Sequence, residues 1–257
     1  MAVLVTRPSP DSDRTADLLR ARGFQVLLAP MLRFEPVPLP PDLGQDTGVE
    51  PDDGTGREIG ALIVTSANAL RAVAPQLDNS PLKRLPLFVV GAQTAAVARE
   101  AGFAKVISAD GDAADLRELV AGGVKQRSFR KRDTLLYLAG EEISRDLAGE
   151  LAARGLHVVT QTVYRMAQVA ALPAEVCNAF AANGIEAVLH YSRRSAAAFV
   201  AAAQSGGVEI SALAVPQCCI SAAVADVLRE AGAAQVSVAA RPDENELLKG
   251  LARALRS

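Results

Sequence analysis

The sequence has little of what many familiar chemistries require. Its 257 residues include three cysteines, two histidines and no tryptophan. Cys177, Cys218 and Cys219 form no C-x-x-C pair. With only His157 and His190 beside them, soft ligands are too few for a zinc site, so no metal is expected. The cysteines read as small apolar side chains, Cys218 and Cys219 inside a buried strand. Neither G-x-G-x-x-G nor G-x-x-x-x-G-K-S/T occurs, which disfavours dinucleotide binding and P-loop hydrolysis. No Ser/His/Asp or Cys/His arrangement is evident. Charge of neither sign dominates: 27 Lys and Arg against 29 Asp and Glu leave a net charge of −2. There is thus no global basic field for nucleic acid or an anionic membrane. No window approaches the ~18 apolar residues of a membrane span. The opening MAVLVTRPSPD has too short an apolar run for a signal peptide. A cytoplasmic protein without nucleic-acid or membrane partners is expected.

What is present is a sequence written twice. Half of the residues are hydrophobic, so the chain is globular. LRARGFQV (Leu19 to Val26) faces LAARGLHV (Leu151 to Val158) at an offset of 132. ALIVTSANAL (Ala61 to Leu70) faces AVLHYSRRSA (Ala187 to Ala196) at an offset of 126. VGAQTAAVAREAGFAKV (Val90 to Val106) faces ISAAVADVLREAGAAQV (Ile220 to Val236) at 130. DAADLRELV, from Asp112, resembles the closing ENELLKGLA, from Glu244. Offsets near half the chain length mean tandem duplication, with the second copy starting near Asp133.

Each unit runs from a short apolar stretch, through a Ser/Thr/Gly turn, into an amphipathic segment ending at glycine. Such alternation predicts βαβ units on a parallel sheet. Gly23, Gly102, Gly155 and Gly232 stand where helix-ending glycines belong. Asp243 and Glu246 have capping-box spacing. Ten strands are expected, near 2–6, 25–29, 61–65, 87–91, 105–108, 134–138, 157–161, 186–190, 217–221 and 235–238. They suit an α/β fold of two similar flavodoxin-like domains, each with a parallel five-stranded, doubly wound sheet. Glu35 to Glu58, rich in proline, glycine and acid, reads as an exposed connection. The basic RSFRKRD, Arg127 to Asp133, reads as a solvated turn at the amino end of a strand.

Ligands of such sheets bind beyond the carboxyl ends of the strands. The turns expected there are Thr6 to Ser9, Thr65 to Asn68, Gly91 to Thr94, Ala139 to Glu141, Tyr191 to Arg194 and Ser221 to Ala223, each read as opening a helix. Helix N-termini suit anions, so a polyanion with several carboxylates is the natural guest. N-capping alone also explains each serine or threonine, at about 1 kcal/mol. The motifs by themselves support no named reaction.

The ordered set VTRP, VTSANAL, VVGAQTAAVAREAGF, LLYLAGEEISRDLAGELAARGLHV and VYRM resembles the uroporphyrinogen-III synthase family nearly end to end, most weakly across Glu35 to Glu58. The resemblance implies a discontinuous domain, 1–33 plus 168–257, and a second, 36–163. A two-stranded linker, of two strand-like crossings at about 30–37 and 162–167, would join them, with the cleft between the domains. It implies a cofactor-free lyase that cyclises hydroxymethylbilane, a linear tetrapyrrole, to uroporphyrinogen III. Loss of the terminal hydroxyl leaves a reactive azafulvene. Attack on the substituted carbon of the last ring, through a spiro intermediate, inverts that ring. Positioning and help for the leaving hydroxyl are the work required.

Tyr164 matches the family tyrosine that assists departure of the hydroxyl; an aromatic anchor for the linker is the other role open to it. Thr6, Arg7, Ser66, Asn68, Gly91, Thr94, Gly140, Ser192 and Ser221 match turn positions lining the family's cleft, mainly through backbone N–H groups. Of the two arginines in HYSRRSA, Arg193 is assigned to a substrate carboxylate and Arg194 to solvent, because successive helical residues diverge by about 100°. The second copy departs from the family at Ser221 and Val224, where glycine and threonine are usual, and at Tyr191, where threonine is common. These departures leave an alternative: a non-catalytic binder of tetrapyrrole or another small polyanion. A monomer is expected.

Overall fold

The computed structural model describes residues 1–40, 43 and 58–256, and in it all ten apolar runs form strands. The strands are β1 (Ala2–Val5), β2 (Gln25–Leu28), β3 (Leu32–Pro36), β4 (Ile59–Val64), β5 (Pro86–Val89), β6 (Lys105–Ser108), β7 (Thr134–Gly140), β8 (His157–Gln168), β9 (Ile185–His190), β10 (Gln217–Cys219) and β11 (Val236–Val238). The chain divides into two compact units, Met1–Phe34 with Ala167–Ser257, and Glu35–Met166.

The first unit holds a five-stranded sheet in the order β11-β10-β9-β1-β2, every pairing parallel. Val3, Val5 and Leu189 pack on one face with Leu247 and Leu251 of helix Glu244–Ala254. Leu4 and Val188 pack on the other with Phe199 of helix Arg193–Ser205. Helices cover both faces, so neither set of alternate residues needs to be polar. That is why these strands read as unbroken apolar runs. Cys218 and Cys219 are fully buried, and Cys177 is half-buried. Burial pushes the Cys219 thiol up to about 12, so it stays protonated and inert.

The second sheet has six strands, in the order β3-β8-β7-β4-β5-β6: the expected five, continued by the expected linker pair of β3 with the far end of β8. The pairings among β4 to β8 are parallel. The extra member arises because β8 continues for 12 residues, through the expected 162–167 linker. Its far end must satisfy its backbone groups, and β3 supplies partners. Val37 N–H donates to the Val163 carbonyl at 2.8 Å, and Val169 N–H donates to that of Met31 at 3.0 Å. One strand advances as the other retreats, so this pair is antiparallel. Glu35 and Pro36, read as the start of an exposed connection, belong to β3. Most of that acidic connection, residues 41–57 apart from Leu43, lies outside the described residues.

Helix ends follow local chemistry. Gly102 and Gly232, the glycines of the two REAG tetrapeptides, adopt φ of +84° and +88°, a region that a Cβ disfavours. Asp243 caps its helix by accepting the Glu246 N–H, and Asp112 with Asp115 completes a reciprocal capping box. The caps show that Asp112 corresponds to Asp243, so the repeat register there is one residue off the expected match with Glu244.

The basic turn Arg127 to Asp133 is not simply solvated. Phe129 is buried edge-to-face against Phe88, with ring centroids 5.9 Å apart. Asp133 is buried and accepts the Arg130 N–H at 2.7 Å. A Cβ on Gly60 would lie 2.5 Å from the Cβ of Asp133, whose carboxylate is held by the Arg130 N–H. Gly60→Ala is therefore expected to destabilise by about 1–3 kcal/mol, seen as a lowered urea midpoint.

Candidate functional site

In the first sheet the chain leaves β1 towards β2 in one direction, and β9 towards β10 and β11 in the other. In the second, β4 leads to β5 and β6 one way, and β7 leads to β8 the other. The carboxyl ends of β1 and β9, and of β4 and β7, thus flank the point where each sheet reverses its winding. Open α/β sheets bind ligands there. Arg7, Tyr191, Ser192 and Arg193 follow the first pair; Thr65, Ser66, Asn68 and Gly140 end or follow the second.

In the first unit, Thr6 is fully buried. Its hydroxyl donates to the Leu189 carbonyl at 2.8 Å, and its N–H to the same oxygen at 3.3 Å. It braces the edge from beneath and keeps neither group for a ligand. Arg7 is held on several sides. Its guanidinium carbon lies 4.2 Å from the centre of the Tyr191 ring. Its Nη1 donates to Thr15 at 3.2 Å and to Glu244 at 3.1 Å, and its Nη2 pairs with Asp11 at 3.0 Å. The Tyr191 hydroxyl also donates to Glu244, at 3.1 Å. Burial raises the Tyr191 phenol to about 12, the Glu244 charge adding to the rise against Thr15 and Arg7, so it stays a donor. Ser192 caps its helix through the Ser195 N–H at 3.1 Å. Arg193 is exposed. Arg194, assigned to solvent, is instead half-buried and engaged by another group.

In the second unit, Gly140 and Tyr164 are cross-strand partners on β7 and β8. A Cβ on Gly140 would lie 2.7 Å from Cζ of Tyr164 and 2.9 Å from its hydroxyl oxygen. The phenol occupies the space that any side chain at 140 would fill. Beside them, Thr65 and Tyr137 share a 3.1 Å hydrogen bond. Burial raises the Tyr137 phenol; the Thr65 bond opposes this and Tyr164 adds to it. Ser66 caps helix Ala67–Val73 through the Asn68 N–H at 3.2 Å, while the Asn68 carboxamide accepts from Arg71 at 2.7 Å. Contrary to expectation, the turn after β7 does not open a helix. The next one begins only at Leu147, capped by Asp146.

Gly91 and Ser221 cap equivalent helices with nearly the same backbone, φ −151° and −152°. Both are extended, and nothing lies within 4 Å of a Cβ added at Gly91. Glycine-to-serine exchange between the copies therefore strains nothing. The helix turns do differ. Val224 N–H donates back to the Ser221 carbonyl at 3.2 Å, whereas after Gly91 the first such bond comes from Ala95, at 3.0 Å. Among the described residues, the Gly91 turn keeps the N–H groups of residues 92–94, and the near-buried Thr94 hydroxyl adds a further donor.

A model of the family described as uroporphyrinogen-III synthase HemD matches residues 13–249. The chain belongs to the uroporphyrinogen-III synthase family. Its fold is similar to the crystal structure of uroporphyrinogen-III synthetase from Helicobacter pylori, at 19% identity and a TM-score of 0.59, covering 99% of each chain. It is also similar to that of a mutant uroporphyrinogen III synthase from the extremely thermophilic bacterium Thermus thermophilus, at 19% identity and a TM-score of 0.52, covering 100% of this chain and 99% of that one. At these identities the likeness is one of fold. No curated protein matches the chain. No helix among the described residues is long and apolar enough to cross a membrane.

Tyr137, Thr15, Asp11 and Glu244 were not singled out from the sequence. Only Asp11 left a signal there, an acid four residues after Arg7, at the start of helix Asp11–Arg20. Glu244 lies 237 residues from Arg7, and only the fold joins them.

Proposed function

We propose that this chain converts hydroxymethylbilane to uroporphyrinogen III, as a cyclising hydro-lyase without a cofactor. The family match over residues 13–249 is the observation that carries this reading. The site chemistry agrees with it: donors and helix N-termini for carboxylates gather at the winding reversals, where no strong nucleophile stands. In this reading the two flavodoxin-like domains each hold part of the substrate at the carboxyl edge of their sheet. Ser66, Asn68, Gly91, Thr94, Ser192, Arg193 and Ser221 offer backbone and side-chain donors to acetates and propionates. Tyr164, seated over Gly140, gives its phenolic proton to the departing hydroxyl. The azafulvene left behind is held so that the substituted carbon of the last ring, not its free position, is attacked. The protein works as a cytoplasmic monomer without nucleic acid or membrane.

The non-catalytic binder is not favoured, because the family match spans residues 13–249. Of the two departures behind it, Ser221 keeps the backbone of its glycine counterpart, and only Val224 removes a donor, the hydroxyl that Thr94 supplies in the first copy. The test is to supply freshly made hydroxymethylbilane and separate the oxidised products by isomer. The type III isomer is expected to dominate at a rate proportional to protein. Type I alone, at the uncatalysed rate, overturns the proposal.

A further inference from the structure

Arg7 stands at the first unit's winding reversal already saturated by carboxylates, and its two acidic partners differ in how firmly they are held. Glu244 keeps a side-chain exposure of 20%, and its Oε1 accepts from Arg7, from Thr15 at 2.5 Å and from Tyr191. It is also the first residue of its helix, where the backbone favours an anion. Were Glu244 to swing out, the hydroxyls of Tyr191 and the fully buried Thr15 would lose their shared acceptor. Asp11 is 50% exposed and meets only the outer nitrogen, Nη2. It has a second cation within reach, Arg14 at 4.0 Å on its own helix. Asp11 can therefore turn to water and Arg14 without orphaning a buried group.

A guest carboxylate added beside both acids would bring a third negative charge to one guanidinium. If it replaces Asp11, the charge balance around Arg7 is kept. The inner edge of the guanidinium stays fixed by Glu244, and its face stays on Tyr191. We infer that Asp11 is a place-holder for a substrate carboxylate: it occupies the outer edge of Arg7 in the empty protein and is exchanged for that carboxylate on binding, while Glu244 remains as the fixed anchor. This rests on the tetrapyrrole reading of the site and deepens it by assigning one carboxylate subsite.

The test compares Asp11→Asn with Asp13→Asn, which removes the same charge two residues away. Asp13 accepts from Ser9 and does not touch Arg7. The probe is uroporphyrin I, a stable octacarboxylate, titrated by fluorescence at fixed ionic strength. Asp11→Asn is expected to bind about fivefold more tightly than the unaltered protein, the weight of one partly exposed ion pair no longer in competition. Asp13→Asn should stay within about twofold. Equal tightening of both variants marks a general charge effect and overturns the exchange. So does an Asp11→Asn protein that binds no more tightly. If none of the three proteins binds the probe, the subsite falls together with the reading of the ligand. Binding without the difference removes the exchange alone.

Discussion

Tyr164→Phe is expected to slow formation of the type III isomer by about 10²- to 10⁴-fold, the usual weight of one positioned proton donor. Substrate binding should change much less, because the ring stays and only the hydroxyl goes. The loss should fall on kcat rather than KM. Gly140→Ala supplies an independent check. Its new methyl would sit 2.7 Å from Cζ of Tyr164, so the ring must move by roughly an ångström to restore ordinary contact. A displacement of that size at a reacting group costs on the order of 10²-fold in rate. Overpacking costs about 1–3 kcal/mol of stability besides. Combining the two changes tells whether the glycine acts through the phenol. In Tyr164→Phe the hydroxyl is already gone, so Gly140→Ala should then subtract little more activity. Stopped-time assays with isomer separation measure all three variants. A Tyr164→Phe protein at full rate would remove this phenol from the mechanism. It would direct attention to Tyr137, which shares the same edge and is kept protonated by burial.

The second copy's turn HYSRRSA shows what the sequence could and could not reveal. Its strand, cap and helix were legible, because short apolar runs, a serine and an alanine-rich segment each obey local rules. Ser192 caps as such a residue should. The roles of its neighbours were not legible. Exposed Arg193 and half-buried Arg194 differ by where the helix meets its surroundings, a tertiary fact. Tyr191 looked like a departure from a threonine, yet it forms the floor beneath Arg7 and a donor to Glu244. Thr6 shows the opposite error. A threonine after a strand reads as a cap or a ligand contact, but here its hydroxyl is spent on the carbonyl of Leu189 in the neighbouring strand. Hydrogen bonds across 183 residues follow from strand order, which local periodicity does not encode. The two crossing segments were legible as a two-stranded linker. That the pair continues the second sheet as its sixth strand was not, because it follows from β8 running unbroken for 12 residues.

His190, the last residue of β9, should make the first unit acid-sensitive. It is fully buried, with its ring edge-on to Phe199 at 5.1 Å. The Gln217 amide nitrogen donates to the carbonyls of Ala212 and Val215 at 2.7 and 2.8 Å. Its oxygen therefore faces His190 Nε2, at 2.9 Å, and Nε2 carries the proton. On the other side Nδ1 lies 3.4 Å from Thr6, whose hydroxyl proton is already given to Leu189. Burial lowers the imidazole from 6.5 to about 4, against a smaller opposing effect of the Gln217 bond. Between those values the unfolded chain binds a proton that the folded protein refuses, so stability rises with pH and is lost as pH falls. The loss should be about 2 kcal/mol between pH 7 and 5, approaching roughly 3 kcal/mol below pH 4. Urea titrations at pH 7 and 5 measure it. His190→Asn should be less stable at pH 7, since it vacates packed space, but it should lose about 2 kcal/mol less than the unaltered protein on going to pH 5. The slope with pH, not the stability itself, separates charge from packing. Equal slopes in the two proteins would mean that the fold accepts a charged His190. The edge carrying Tyr191 and Ser192 would then have to open to water well above pH 4.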